Sequence, residues 1–278
     1  MTVLVATDLD RTLVYSRAAL ALTGAPLPEL TCVERRFGKP VGFLTAAAAR
    51  GLAALADQAV LVPVTTRLPE QLARITLPGP PARFAVAANG GVLLDSGLPD
   101  RAWQRRVTTA LAESGSFSEV VQYVRANCDP GWTLQVREAG GLFCYAVLAE
   151  AGAPDGFLAG AADWAAARGW SLSAQGRKLY WMPDGLTKAA AVREVASRVG
   201  AELMLAAGDS LLDRDLLLLA DRGIHPAHGE LFASGWSAPG VERTGAAGVL
   251  AGQQIVEWFA ARVAEFGRRA DPATTAIS

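Results

Sequence analysis

Apolar and polar positions along this chain follow two rhythms. Short, mostly apolar runs at 3–6, 59–64, 84–88 and 202–207 read as strands with both faces buried, as inside a parallel sheet. Between and after them lie stretches with helical spacing at 45–58, 69–75, 187–199, 213–220 and 247–266. In 187–199 the stripe is Val192, Val195, Ala196 and Val199. Strands alternating with helices predict a parallel, doubly wound sheet. Two local features interrupt the alternation. A hairpin is expected from 31–36 and 40–44 across Phe37-Gly38-Lys39, and Asn89-Gly90-Gly91 turns the chain into a short strand at 92–95.

The rhythm changes between about 97 and 182. Helical stretches at 99–114 and 118–127 precede strand-like runs at 132–137 and 142–148, which meet at Gly140-Gly141, a hairpin signal. A helix at 154–168 then precedes a second pair, 170–174 and 178–182, joined near Gln175-Gly176. Paired strands, a helix and paired strands again predict an α+β unit with an antiparallel sheet. The predicted fold class is therefore α/β. A doubly wound, Rossmann-like core made of 1–96 and 183–278 carries an inserted α+β cap at 97–182, and 271–278 reads as a frayed tail.

Composition narrows the function classes. Twenty-six basic residues against 27 acidic ones leave a formal charge of −1, so nothing points to a nucleic-acid or membrane-surface partner. Cys32, Cys128 and Cys144 are too scattered for a metal knuckle or a disulfide framework, which suits a reducing cytoplasm. No basic leader or membrane-length apolar run is seen, so a cytoplasmic protein is expected. His225 and His228 read as loop residues, without the further ligands a zinc site needs. Trp103, Trp132, Trp164, Trp170, Tyr180 and Trp181 read mostly as core, and Arg177 and Lys178 as a solvated face.

The chemistry gathers at element ends. In open parallel sheets, ligands bind beyond the carboxyl ends of the strands. Asp8 and Asp10 follow the first strand there, and two carboxylates so close need a cation or a shared proton. Thr65 ends a second strand, where its hydroxyl and amide suit a phosphoryl oxygen. Lys188 opens a helix, adding an ammonium to the exposed amides. Gly208-Asp209-Ser210-Leu211-Leu212-Asp213 adds two acids after an apolar strand, and such hard oxygen ligands suit Mg²⁺. Alone, Asp8 and Asp10 are equally turn or N-cap residues, and Lys188 an ordinary helix lysine. Four such features in order carry more weight.

That order resembles the haloacid dehalogenase superfamily. Asp8, Asp10 and Thr12 match its first motif, D-x-D-x-T; Thr65 matches the second, with Thr66-Arg67 where many relatives have Gly-Arg. Lys188 matches the third, and Gly208, Asp209 and Asp213 the fourth, G-D-x-x-x-D. Leu212 departs from it, since many relatives carry Asn there. A cap between the second and third motifs, with Asn89-Gly90-Gly91 and Asp184-Gly185-Leu186-Thr187-Lys188, resembles the class II, subtype B branch (Cof-type and sucrose-phosphatase-like).

The resemblance implies a Mg²⁺-dependent phosphatase acting on a small phosphorylated metabolite, most readily a sugar or polyol phosphate. Asp8 would be the nucleophile forming an aspartyl-phosphate, and Asp10 the acid and then the base. Thr65 and Lys188 would hold the phosphoryl oxygens, with Thr12, Thr66, Arg67 and Asn89 on the substrate side. Asp8, Asp10 (through its carbonyl), Asp209 and Asp213 would form the metal site, Asp213 through water or by steadying the others. The expected partner is a small phosphate ester, for a monomer or homodimer. Two rivals stay open: a phosphomutase using the same aspartyl-phosphate, and a phosphate-binding protein with reduced catalysis.

Overall fold

The structure is a computed structural model that describes residues 1–20, 22, 26–150 and 152–270. The expected tail at 271–278 lies outside the described residues. β1 (Val3–Asp8) has all six residues buried, as a strand covered on both faces must. The expected hairpin follows as β2 (Leu30–Arg36) and β3 (Lys39–Thr45), paired antiparallel. Thr45 then caps the helix Ala46–Ala56, its hydroxyl accepting from the Ala48 amide at 2.9 Å. β4 (Val60–Val64), β5 (Phe84–Ala87), β6 (Val92–Asp95) and β7 (Leu98–Pro99) complete the first part of the core.

The chain next builds a separate four-stranded antiparallel sheet from β8 (Thr133–Ala139), β9 (Phe143–Leu148), β10 (Trp170–Gln175) and β11 (Lys178–Pro183), in the order β10-β11-β9-β8. Helices Arg101–Leu111, Phe117–Asn127 and Phe157–Ala166 accompany it. Trp103, Trp170, Tyr180 and Trp181 are buried, as expected of core aromatics. Trp132 and Trp164 are only half-buried, and Trp164 stacks on Tyr123 with ring centroids 3.7 Å apart.

The chain returns through the helix Lys188–Val199 to β12 (Leu203–Ala207), β13 (Arg222–His225), β14 (Val241–Arg243) and the closing helix Val249–Ala270. The core sheet runs β14-β13-β12-β1-β4-β5-β6-β7. From β14 to β5 every pairing is parallel, whereas β6 and β7 run antiparallel at one edge. β13 and β14 are not among the expected strands, and His225, expected in a loop, ends β13. These strands have four and three residues, too short for a period to emerge.

Alternate residues of β1 feed opposite faces. Leu4 and Ala6 pack with Val62, Val64, Val192 and Val195; Val3 and Val5 pack with Leu52, Leu55, Ile255 and Phe259. Burying each Val or Leu side chain stabilises by roughly 1.5–3 kcal/mol, so the two layers clamp β1 from both sides. β1 sits between β4 and β12, where the strand order reverses. A crevice opens at the carboxyl end of such a strand, and Asp8 stands there.

Candidate active site

Asp8 is the last residue of β1, and Lys188 is the first residue of its helix, N-capped by the Thr187 hydroxyl. The Lys188 side chain is 1% exposed and runs between two carboxylates. Its Nζ donates to Asp8 Oδ1 at 2.7 Å and to Asp213 Oδ1 at 2.5 Å. Burial alone would discharge the ammonium, but Asp213 and Asp8 outweigh it and hold its pKa above the usual lysine value. The lysine therefore stays charged.

Asp213 is saturated. Besides Lys188, its other oxygen accepts from the Asp209 amide (3.1 Å), the Ser210 amide (2.9 Å) and the Ser210 hydroxyl (2.7 Å). The turn can wrap this closely because residue 208 is glycine: a Cβ there would lie 2.3 Å from that of Asp213. Asp213 thus orients the Asp209 loop and Lys188 together. Leu212 packs half-buried against the core, so its place in the motif serves packing.

One oxygen from each of Asp8, Asp209 and Asp213 falls within 4.8 Å of the others. Burial pushes the Asp8 carboxyl up to about 7; Lys188 opposes the rise and Asp213 adds to it. Asp209 is driven well above the usual carboxylate range by burial, then by Asp8 and Asp213. Asp8 Oδ2 is buried with no hydrogen-bond partner among the described residues. Three carboxylates around one ammonium, with an orphaned oxygen among them, suit a hard divalent cation such as Mg²⁺. Asp8 and Asp209 have room to hold it directly, whereas both oxygens of Asp213 are already engaged.

Asp10 stands outside that cluster. Its carboxylate forms a bidentate pair with Arg67, at 2.6 Å to Nε and 2.7 Å to Nη2. Burial would raise its pKa, but Arg67 outweighs that and holds the carboxyl below the usual range. The Asp10 carboxylate is not one of the three that gather. Arg67 also reaches Glu34 of the β2–β3 hairpin at 2.9 Å, and Arg74 joins Glu34 at 3.2 Å. The hairpin is thereby tied to the rim of the site. Glu34 had no recognisable signal, because its partner is Arg67, far along the chain.

The remaining expected positions divide. Thr65 is fully buried and its amide donates to the Val86 carbonyl at 2.8 Å, so the amide is not free for a phosphoryl oxygen. Its hydroxyl accepts from the Arg67 amide at 3.1 Å and keeps its own proton to give. The Thr66 hydroxyl faces Tyr180 of the antiparallel sheet. Asn89 is left-handed, and its side-chain amide donates to the Leu186 carbonyl at 2.8 Å, tying its turn to the segment before Lys188, while its Oδ1 is buried with no hydrogen-bond partner among the described residues. Gly90 permits that join, since a Cβ on it would lie 2.2 Å from the Thr187 carbonyl oxygen. Thr12 is fully buried, and its carbonyl accepts from the Tyr15 hydroxyl.

The antiparallel sheet is seated on this rim. Glu230 accepts from the Ser173 hydroxyl (3.0 Å), the Ala174 amide (3.2 Å) and the Leu211 amide (2.9 Å). Gln175 donates to the Ser210 hydroxyl at 3.1 Å. His228, expected in a loop, precedes the short helix Gly229–Ala233. Its ring accepts from the Gly248 amide at Nδ1, so Nε2 carries the proton and donates to the Arg11 carbonyl at 2.8 Å.

No family model matches the sequence, and no curated protein matches it either. Solved structures do. The sucrose-phosphatase of Synechocystis sp. PCC6803, solved with sucrose and phosphate, aligns over 93% of this chain and 98% of its own, with TM-score 0.64 and 14% identity. The C-terminal domain of the C. albicans trehalose-6-phosphate phosphatase aligns over 94% and 92%, with TM-score 0.56 and 12% identity. A subclass IIB sugar phosphatase of the haloacid dehalogenase superfamily aligns over 96% and 99%, with TM-score 0.54 and 12% identity. At such identities the likeness is one of fold. The chain has the fold of the haloacid dehalogenase superfamily phosphatases, a Rossmann-like core carrying a cap.

Proposed function

We propose that the protein is a Mg²⁺-dependent phosphatase of small phosphorylated metabolites, a sugar or polyol phosphate, with 1–96 and 183–278 as catalytic core and 97–182 as cap. The observation that carries this reading is the buried Asp8–Lys188–Asp213 group beside Asp209, with Asp8 Oδ2 left unpartnered. The fold neighbours that act on sucrose phosphate and trehalose 6-phosphate support the substrate class by analogy.

Bound between Asp8 and Asp209, the cation would supply positive charge that keeps Asp8 ionised and draws charge from the phosphoryl oxygens. Asp8 attacks phosphorus, and the bond to the leaving oxygen breaks. Asp10, once it leaves Arg67 and takes up a proton, gives that proton to the leaving alkoxide. Water then attacks the aspartyl-phosphate, Asp10 takes its proton, and the bond to Asp8 breaks to free phosphate. Lys188 and the Thr65 hydroxyl bind the phosphoryl oxygens as their charge shifts. The roof sheet shields the site from bulk water while the ester is bound.

The test is hydrolysis of p-nitrophenyl phosphate with Mg²⁺, followed by orthophosphate release from a panel of sugar phosphates. Asp8→Asn should lower kcat by at least about 10⁴-fold with the fold intact, as nucleophile removal does elsewhere. Unchanged turnover in that variant would remove the nucleophile. Phosphate moving between sugar positions without release would replace hydrolysis by a mutase reaction.

A further inference from the structure

We propose that Arg11 anchors a second-anion subsite: the cavity beside Asp209 takes a carboxylate or second phosphate carried by the ester being hydrolysed. The inference deepens the phosphatase reading and rests on it. It begins with the backbone. Arg11 has φ +67°, a left-handed conformation that costs a long L side chain about 1 kcal/mol and that glycine adopts freely. The turn itself does not need an arginine. The amide of residue 11 donates to Val14 at 2.9 Å and its carbonyl accepts from His228, contacts that any residue type provides.

The side chain is what the strained position adds. Its Nε is buried and makes no hydrogen bond among the described residues, although it lies 3.5 Å from Asp209 Oδ2. The guanidinium borders a cavity of about 500 Å³ between the Asp209-Ser210 turn and the Gln175-Gly176 turn of the roof, with His228 and Phe232 also lining it. Ligand pockets span roughly 300–1,000 Å³, so this one suits a small metabolite. The other charged lining groups are acids with other commitments. Glu230 is spent on Ser173, Ala174 and Leu211, and Asp209 belongs to the carboxylate cluster. With the charge of Asp209 taken by a cation, Arg11 has no ion-pair partner among the described residues. A planar guanidinium matches the fork of a carboxylate or phosphate. Because Asp209 and Asp8 share one cluster, that second anion sits one small molecule away from the reacting phosphorus.

The experiment compares Mg²⁺-loaded protein on glycerol 1-phosphate, 3-phosphoglycerate, fructose 6-phosphate and fructose 1,6-bisphosphate, with p-nitrophenyl phosphate as reference. Wild type should favour the ester with a carboxylate or second phosphate over its singly anionic counterpart by about tenfold or more in kcat/KM, the scale of charged hydrogen bonds. Arg11→Gly, which relieves the backbone strain, should erase that ratio, chiefly through KM. Arg11→Lys should restore part of it. Calorimetry in the Asp8→Asn background should show the same loss in affinity without turnover. Whether the glycerate or the bisphosphate loses its advantage tells carboxylate from phosphate. Equal treatment of all esters by wild type, or a uniform drop in Arg11→Gly, would overturn the subsite. Failure to hydrolyse any ester, p-nitrophenyl phosphate included, would instead sink the phosphatase reading, with the calorimetric arm still reporting on Arg11.

Discussion

Two charged groups meet at the end of β1, and they are built differently. Asp8, Lys188 and Asp213 are sealed from solvent, and every donor of the Asp209-Ser210 turn that faces Asp213 is used. Asp10, Arg67, Glu34 and Arg74 lie at the rim: Asp10 and Arg74 are well exposed, whereas Arg67 and Glu34 between them are mostly buried. A buried pair stripped of one partner leaves an uncompensated charge, whereas a half-exposed pair can fall back on water. The inner group therefore holds geometry, and the exposed Asp10 is the member of the outer group best placed to exchange partners. Asp10 needs that freedom, because its proposed task is to take up and release a proton.

The sharpest way to break the contrast is to cut each group once. Asp213→Ala strands Lys188 beside a single carboxylate and orphans the amides of Asp209 and Ser210. Its unfolding free energy, from urea titration, should fall by about 3–5 kcal/mol. Asp10→Ala should cost less than about 1 kcal/mol in the same measurement. Equal losses would mean that the rim is as rigid as the interior.

A second test titrates the support beneath the first motif. Burial holds the His228 ring down to about 4, helped by the positive charges of Arg11 and His225, while its bond to the Arg11 carbonyl opposes the shift. Above about pH 6.5 the ring is neutral folded or unfolded, and the full stability is present. As pH falls below that, the unfolded chain takes up a proton that the folded one refuses. Stability is therefore lost down to about pH 4, by about 3 kcal/mol at most. Urea titrations across that window should show this loss in wild type, and a smaller one in His228→Gln. An identical slope in both proteins would assign the acid sensitivity to the carboxylates instead.

The smallest effect concerns the rim. Arg67→Lys keeps the charge but loses the two-pronged grip on Asp10 and the reach to Glu34. A drop in kcat of about tenfold, with the acid limb of the pH profile moved, is the expected result. A change confined to KM would show that Arg67 binds substrate without governing Asp10.

What was legible in the chain follows the same division. β1, β4, β5 and β12 were readable because a strand buried on both faces must be apolar throughout. The inserted unit was readable because hairpin turns need glycine, as at Gly140-Gly141. The direction of β6 was not, since the residues that turn the chain do not state whether the next strand pairs parallel or antiparallel. Candidate chemistry was readable where a polar residue follows an apolar run, as at Asp8, Thr65 and Asp209, and where Lys188 opens a helix. Pairings across the fold left no trace. Glu34 with Arg67, Glu230 with Ser173, and His228 with Arg11 each join segments whose local patterns are ordinary. Arg11 was invisible for another reason: its abnormality is a dihedral angle, which a residue name does not record.

Glu230 has one more consequence. A single carboxylate fastens Ser173 and Ala174 of the roof and also grips Leu211, just past Asp209. Lifting the roof unfastens the first two and leaves the third alone on a side chain that has lost its companions. In the proposed phosphatase, one clasp thus links any movement of that sheet to the loop that presents Asp209.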